Sequence, residues 1–176
     1  PTRLFEKICL EGFQSGLSWL MILRKRYGFR EAFAGFDIET VAGFGDRDVA
    51  RLLGDAGIVR HRGKIEATIN NARRAIELAE AEGSLVDWIW AWAEPVGDAE
   101  LDADGGLVVR ATSDRSTAMA KELKRRGWRF FGPTTAYAFM QSEGLVDDHH
   151  PDCVARTSCE DERTAFLAGR SLRPTQ

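Results

Sequence analysis

The sequence of 176 residues lacks any run of about 20 uncharged apolar residues, the length that a membrane-spanning helix requires. Its first residues lack the basic stretch, apolar segment and cleavage site of a secretory signal. It has only three cysteines, Cys9, Cys153 and Cys159, and an odd number at irregular spacing is a poor basis for a disulfide framework. We therefore expect a cytoplasmic protein with no membrane segment.

Positive charge is not in excess either. The chain has 24 lysines and arginines against 27 aspartates and glutamates, a formal net charge of −3. This balance argues against a protein that holds nucleic acid by bulk electrostatics, although a local basic face is compatible with it. Hydrophobic residues make up 44% of the chain, enough for one sizeable core. We expect a single domain over residues 1–176 that acts as a monomer.

What the sequence has is helical periodicity, which predicts an all-α fold of six to eight helices. The clearest apolar stripe at helical spacing runs from Ile65 to Ala79 and is stopped by Gly83. The pattern from Leu4 to Leu23 predicts one amphipathic helix, or a pair broken near Gly12 or Gly16.

Cap residues predict the remaining helices. Asp46, Ser84 and Ser113 are suitable caps for three of them, and Pro133 is suited to the first position of a fourth. Residues 94–112 are acidic and glycine-rich, which predicts a surface loop. Residues 154–176 contain few structural signals, so we expect a loosely ordered tail there.

The stretch "RFFGPTTAYAFMQSEGLVDDHHPDC", residues 129–153, predicts a tight hairpin at Gly132 followed by a new helix. Glycine allows a ligand to approach the backbone closely, and the free amides at the start of a helix attract phosphate. Arg129 would add positive potential beside this turn. The alternative is an αα-hairpin whose glycine only turns the chain. The basic turn "RHRGK", residues 60–64, likewise fits either a phosphate contact or a solvated helix start.

Two segments, "GPTTA" and "LVDDH", resemble the helix-hairpin-helix signature of the endonuclease III-like DNA glycosylase superfamily. The matching residues are Gly132, Thr135, Ala136, Val146, Asp147 and His149. The resemblance implies that Asp147 occupies the position of the superfamily's catalytic aspartate. Bifunctional members carry a lysine where this chain has Thr134, and a threonine cannot form an imine. A base-excising enzyme without lyase activity is implied.

Three blocks narrow the resemblance: "LFEKICLEGFQSGLSW", "DAGIVRHRGKIEATINNA" and "KELKRRGWRFFGPTTAYAFMQSEGLVDDH". Together they are similar to the bacterial 3-methyladenine DNA glycosylase I family, from about Leu4 to Cys153. This similarity implies a helix-hairpin-helix glycosylase-like helical bundle. It also implies hydrolysis of the N-glycosidic bond of 3-methyladenine in alkylated double-stranded DNA by base flipping, and a structural zinc site.

The family resemblance assigns roles to particular residues. Glu11 matches the essential glutamate of the base pocket, and Trp19 matches the aromatic residue on which the flipped base stacks. The chemistry agrees, because a cationic methylated purine needs a carboxylate to accept from its amine and an electron-rich ring face. The DNA-binding residues implied are Leu17, Arg129, Gly132, Thr134 and Thr135. Leu17 is equally well explained as a core residue.

Asp147 is a departure from the narrower family, which commonly has asparagine at this position. A carboxylate near the anomeric carbon could stabilise an oxocarbenium-like transition state or orient water. Catalysis by Glu11 alone and catalysis shared with Asp147 are both compatible with the sequence.

The resemblance makes His149 and Cys153 two zinc ligands. It places the family's other two, a cysteine and a histidine, ahead of the stretch that this chain covers, and a tetrahedral site needs four. His150 and Cys159 are weaker candidates as substitutes. The alternative for His149 and Cys153 is a capping histidine and an inert thiol.

Two other functions fit the sequence less well. One is a helix-hairpin-helix module that grips DNA without excising bases. The other is a helical scaffold with no role in nucleic-acid binding.

Overall fold

The computed structural model describes residues 1–95 and 100–170. This part of the chain contains ten α-helices, one 3-10 turn at Ala34–Phe36 and an isolated β-bridge between Leu101 and Leu107. The helices are α1 (Thr2–Gln14), α2 (Trp19–Arg24), α3 (Arg26–Ala32), α4 (Ile38–Ala42), α5 (Asp46–Gly54), α6 (Arg62–Glu82), α7 (Leu85–Trp90), α8 (Asp114–Arg125), α9 (Pro133–Glu143) and α10 (Arg156–Leu167). The all-α prediction is confirmed, with a few more helices than the six to eight expected. No helix in the described residues is long and apolar enough to cross a membrane.

The extra helices are those with weak periodicity in sequence. Helices α2, α3 and α4 have five to seven residues each, too short for an apolar stripe to repeat. The expectation of a loosely ordered tail over 154–176 was wrong for α10. Tertiary contacts hold this helix: Arg163 is buried and donates to the Glu94 carbonyl, and Phe166 packs on Trp90 with ring centroids 4.4 Å apart. Residues 171–176, and residues 96–99 of the predicted loop, lie outside the described part.

Most predicted caps are present. Ser84 accepts a hydrogen bond from the Asp87 amide at 3.1 Å, and Ser113 accepts one from the Ser116 amide at 3.1 Å. Asp46 was the wrong cap for α5, because Gly45 occupies the cap position and donates its own amide to the Asp48 side chain at 3.1 Å. The remaining signals confirmed are Pro133 at the start of α9 and Gly83, with φ +86°, at the end of α6.

A cluster of buried phenylalanines joins α1 to α3 and the 3-10 turn. The rings of Phe13 and Phe29 lie 4.6 Å apart, and those of Phe33 and Phe36 lie 5.5 Å apart. All four are fully buried, and burying a large aromatic side chain stabilises the fold by about 2–3 kcal/mol. This cluster fixes α1, which carries Glu11, against α3 and the 3-10 turn.

A buried carboxylate adds a polar connection between the same elements. Glu6 on α1 accepts hydrogen bonds from two arginines of α3, Arg26 at 2.8 Å and Arg30 at 2.9 Å. Burial opposes ionisation of Glu6, but the hydrogen bonds from Arg30 and Arg26 lower its pKa below the ordinary value. The charged form of Glu6 therefore helps to hold α3 on α1.

Helix α6 lies at the centre of the molecule. Helices α1, α4, α5 and α7 all pack against it, while α8 and α9 pack against each other. Helix α9 also lies against α1. The hairpin and the Glu11 helix are therefore neighbours.

We expect Gly28→Ala to destabilise the protein, because α3 passes directly over the loop at Gly57. A methyl group at Gly28 would lie 2.6 Å from the Gly57 carbonyl oxygen, so the backbone must shift. The expected loss is about 1–3 kcal/mol in the free energy of unfolding, measured by urea titration. Gly54→Ala is the matched control, since no atom lies within 4 Å of its added methyl group. Equal stability of the two variants would contradict this packing.

Candidate active site

Glu11 and Trp19 lie on different helices, and one lysine connects them. Glu11 is on α1 and is buried, while Trp19 opens α2 and is half-buried. The Lys7 ammonium lies 3.2 Å from Glu11 Oε1 and 4.1 Å from the centroid of the Trp19 ring. The two predicted base-pocket residues therefore face a common position.

The break between α1 and α2 produces this arrangement. Gly16 has φ +76°, a left-handed conformation that glycine adopts at little cost. Across the turn, the Leu17 amide donates to the Gln14 carbonyl at 2.7 Å, and the Gln14 side chain donates to the Leu17 carbonyl at 2.8 Å. Ser18 then caps α2 by accepting from the Met21 amide at 3.3 Å. Of the two breaks that the sequence allowed, the one at Gly16 is confirmed.

Lys64 holds the end of α1. Its ammonium donates to the Phe13 carbonyl at 2.9 Å and to the Ser15 carbonyl at 2.6 Å. A cation at this end interacts favourably with the helix dipole, and it donates hydrogen bonds to carbonyls that have no partner in the helix. In the same basic turn, His61 caps α6 by accepting from the Lys64 amide at 3.2 Å. These two members of "RHRGK" are therefore structural.

The environment of Glu11 disfavours its charge. Burial raises the pKa of Glu11 above the ordinary glutamate value, and the charge and hydrogen bond of Lys7 act in the opposite direction. Only 7% of the Glu11 side chain is exposed, against 16% for Lys7. A carboxylate in such a place is a strong acceptor for a buried donor or cation.

A second carboxylate, Glu143, lies near Glu11 and was not predicted. It is the last residue of α9 and is half-buried. Burial raises its pKa, the positive charges of Arg3, Lys7 and Arg26 lower it, and the negative charge of Glu11 raises it further. The Lys7 ammonium thus lies in the field of two carboxylates on two helices.

The predicted hairpin connects α8 to α9. Gly127, with φ +84°, ends α8, and Gly132 is the cap residue of α9 with no side-chain hydrogen bond at this helix start. Asn71 of α6 holds the segment between them, donating to the Arg129 carbonyl and accepting from the Arg129 amide, both at 2.9 Å. The hairpin is therefore held in place by the central helix.

The side chains of the hairpin differ in solvent exposure and in ion pairing. Arg129 and Thr134 are exposed, and Thr135 is half-buried. Arg125 and Arg126 do not add free positive charge beside it, because both bind Glu122, each at 2.6 Å. The exposed cation of the turn that the resemblance assigns to DNA is Arg129.

Phe130 has a strained backbone at the same turn. Its φ is +55°, a conformation that is uncommon for a bulky residue, and the residue is 42% exposed. The ring of Phe130 lies edge-on to that of His61, with the ring centroids 6.1 Å apart. The backbone carbonyl oxygen of Phe130 would lie 3.1 Å from a methyl group added at Gly12. The hairpin therefore approaches α1 closely, one residue from Glu11.

The family model for methyladenine glycosylase matches residues 1–157. The chain belongs to the methyladenine glycosylase family. Among its relatives, the DNA-3-methyladenine glycosylase of Haemophilus influenzae is 42% identical over 158 residues, which cover 89% of this chain and 84% of that protein. DNA-3-methyladenine glycosylase 1 of Escherichia coli is 44% identical over 151 residues, which cover 86% and 80%.

Solved structures of the same kind have the same fold. A crystal structure of 3-methyladenine DNA glycosylase I is 42% identical and superposes with a TM-score of 0.78, covering 88% of this chain and 85% of that one. The Staphylococcus aureus enzyme, in a study of how it recognises 3-methyladenine, is 34% identical with a TM-score of 0.80, covering 88% and 82%.

In this member of the methyladenine glycosylase family, Asp147 has a local backbone partner and one unpartnered oxygen. Its Oδ1 accepts from the His149 amide at 3.1 Å, and its Oδ2 is buried without a hydrogen bond. Its negative charge acts on Arg163 and Cys159, both on α10. The neighbouring Asp148 is bound to Tyr137 and Gln141 of α9, at 3.0 and 2.7 Å.

His149 and Cys153 lie together as the family resemblance implies. Nδ1 of His149 is 3.4 Å from the Cys153 sulfur, and Nε2 is 3.7 Å from the Cys159 sulfur. Tetrahedral zinc separates neighbouring nitrogen and sulfur ligands by roughly 3.5 Å, so either pair has the spacing of two ligands. One ion cannot bind both ring nitrogens, and the described residues contain no group of three or more side chains that could hold a metal. The fit is that of half a site.

Sequence reasoning therefore found the two groups that face the common position, and it missed the lysine between them. Lys7 had a detectable signal, since it is four residues before Glu11 and forms an ion pair typical of a helix. Glu143 and Asn71 had no such signal, because their partners are distant in sequence.

We expect Glu11→Gln to raise the free energy of unfolding at neutral pH, because it removes a carboxylate whose ionisation the fold disfavours. The raised pKa means that the folded chain binds this proton more tightly than the unfolded chain. The wild-type penalty is therefore present above the folded pKa and disappears as the pH falls below the ordinary glutamate value.

Thermal unfolding at about pH 7.5 and about pH 4 measures this difference. Glu80→Gln is the control, since Glu80 is an exposed carboxylate on α6. The same gain for Glu11→Gln at both pH values would contradict the linkage.

Proposed function

We propose that this protein is a monofunctional DNA glycosylase that hydrolyses the N-glycosidic bond of 3-methyladenine in alkylated double-stranded DNA. One observation carries the proposal: a buried carboxylate and an indole face, those of Glu11 and Trp19, already hold a cation between them. Adenine methylated at N3 is cationic in DNA, so the same two groups suit it. Relatives at 42% and 44% identity bear the name of this activity, which supports the proposal.

Binding of the extruded base follows from the two groups. Trp19 stacks on the cationic ring and is attracted to its charge, and Glu11 accepts a hydrogen bond from the exocyclic amine. The glycosidic bond of the cationic nucleoside is already weakened, so the site needs little acid assistance. Water completes the hydrolysis.

The hairpin supplies the contact with the DNA backbone. The start of α9 at Gly132 is open, and the amides and side chains of Thr134 and Thr135 suit a phosphate there. Arg129 adds a cation to the same turn. Leu17, half-buried beside Gly16, is in a suitable place to fill the gap that the flipped base leaves.

Strand cleavage is not part of the proposed reaction. The position of the imine-forming lysine in bifunctional enzymes is occupied by Thr134, whose hydroxyl cannot form a Schiff base. The product is therefore an abasic site in an intact strand.

Asp147 stays a candidate for stabilising positive charge on the sugar. Its unpartnered Oδ2 supports this role, while the effect of its negative charge on Arg163 of α10 favours a structural one. Glu11 is the carboxylate on which the proposal depends.

Structural zinc is proposed on the resemblance, with His149 and Cys153 as two of four ligands. Their spacing of 3.4 Å supports it, and no chemical step depends on the metal. Metal analysis of the purified protein tests it. We also infer a cytoplasmic monomer.

The decisive experiment measures release of free 3-methyladenine from methylated duplex DNA. We expect release by the wild type and a loss of about 100-fold or more in Glu11→Gln, because the amine of the base loses its anionic acceptor. The strand should break only after alkali treatment of the product. Salt-sensitive binding of the duplex with no release would instead indicate a DNA-binding module, and equal release by both chains would remove Glu11 from the mechanism.

A glycine pair tests the hairpin separately from the fold. Gly132 and Gly45 are both helix caps with extended backbone, and neither has an atom within 4 Å of an added methyl group. We expect both alanine variants to fold with wild-type stability. Only Gly132→Ala should weaken binding of methylated duplex, by about tenfold, because the phosphate must approach the backbone there. Wild-type affinity in Gly132→Ala would contradict this role.

A further inference from the structure

The Lys7 ammonium lies where the proposed function puts the base. It is 3.2 Å from Glu11 Oε1 and 4.1 Å from the Trp19 ring centroid. These are the two contacts that a flipped cationic purine would make with the protein. The lysine is on α1, one helical turn before Glu11, so its backbone cannot leave the site without unfolding the helix.

A base and the ammonium cannot use the two groups at the same time. The face of Trp19 that holds Lys7 at 4.1 Å would be covered by a stacked purine, whose ring lies at about the same distance. Glu11 is almost fully buried and already accepts from Lys7. The side chain of Lys7 must therefore move before the base can enter.

The structure provides a second partner for the displaced charge. Glu143 is half-buried at the end of α9, the helix that packs against α1, which carries Lys7. Two other cations act on Glu143 by their charge: Arg3, which is exposed, and Arg26, which is bound to Glu6 at 2.8 Å. A lysine has a flexible four-carbon stem and three donors, so its head can change partners by rotation about side-chain bonds.

We propose that Lys7 is a positioning residue whose ammonium occupies the base site in the free protein and moves toward Glu143 when the flipped base enters. This inference rests on the proposed function. It adds that the free site is filled by an internal cation, which lowers the affinity for the base and keeps Glu11 paired between turnovers.

Titration calorimetry with free 3-methyladenine at about pH 8 tests the occupancy. We expect Lys7→Met to bind the base about tenfold more tightly than the wild type, because no cation has to be displaced. Lys7→Arg keeps a cation and should bind like the wild type. Lys121→Met removes an exposed lysine of α8 and is the control for a change in net charge.

A double-mutant cycle tests the second partner. Glu143→Gln should weaken base binding about threefold in the wild type, because the displaced ammonium loses its carboxylate. In the Lys7→Met background the same change should alter the affinity by less than about twofold. Equal effects in both backgrounds would overturn the movement toward Glu143.

Unchanged or weaker binding by Lys7→Met would overturn the occupancy and leave Lys7 as a structural partner of Glu11. Thermal unfolding confirms that each variant is folded, and Lys7→Gln serves in place of the methionine variant if the latter is not. Release of 3-methyladenine from methylated duplex separates the two proposals. If the wild type releases the base and Lys7→Met gains no affinity, only the inference fails; if the wild type neither releases nor binds it, both fail.

Discussion

The turn between α1 and α2 is the constraint on which the candidate site depends. On a continuous helix, Glu11 and Trp19 would be about 12 Å apart along the axis, too far to share one ligand. The left-handed Gly16 ends the first helix, and the buried ammonium of Lys64 holds the carbonyls at that end. The chain then doubles back, so that a carboxylate from one helix and an indole from the next meet a single cation. The arrangement of the proposed base pocket thus results from the end of α1 at this turn.

The backbone of the proposed DNA-binding hairpin packs closely against α1. Phe130 has a left-handed conformation, and its carbonyl lies close to Gly12, the residue after Glu11. Asn71 fixes the adjoining residue from the central helix. The hairpin proposed to hold phosphate and the carboxylate proposed to select the base are therefore connected by closely packed backbone. Such a connection suits an enzyme that must hold a distorted duplex and one extruded nucleotide in a fixed relation.

Charged side chains are paired locally in a chain whose formal net charge is −3. Glu6 binds Arg26 and Arg30, and Glu122 binds Arg125 and Arg126, so none of these four arginines is a free positive charge. Glu11 and Glu143 share the field of Lys7. The family membership agrees with this arrangement, since a pocket for a cationic base needs negative charge, while the phosphate contact needs only a few cations and open amides.

The sequence by itself determined the helical class, the end of α6 at Gly83 and the cap at Ser84, and it made Glu11 and Trp19 the predicted base-pocket residues, because helix signals and family motifs are local in the chain. It did not predict the short helices α2–α4 or the helix α10. These helices are stabilised by packing and show no clear apolar period in the sequence. Only the tertiary structure decided that Lys7 lies between Glu11 and Trp19, that Glu143 ends a helix packed against α1 and that Lys64 is buried at a helix end. The physical reason is that burial and charge pairing depend on which side chains from distant segments are brought together, and no local pattern records those neighbours.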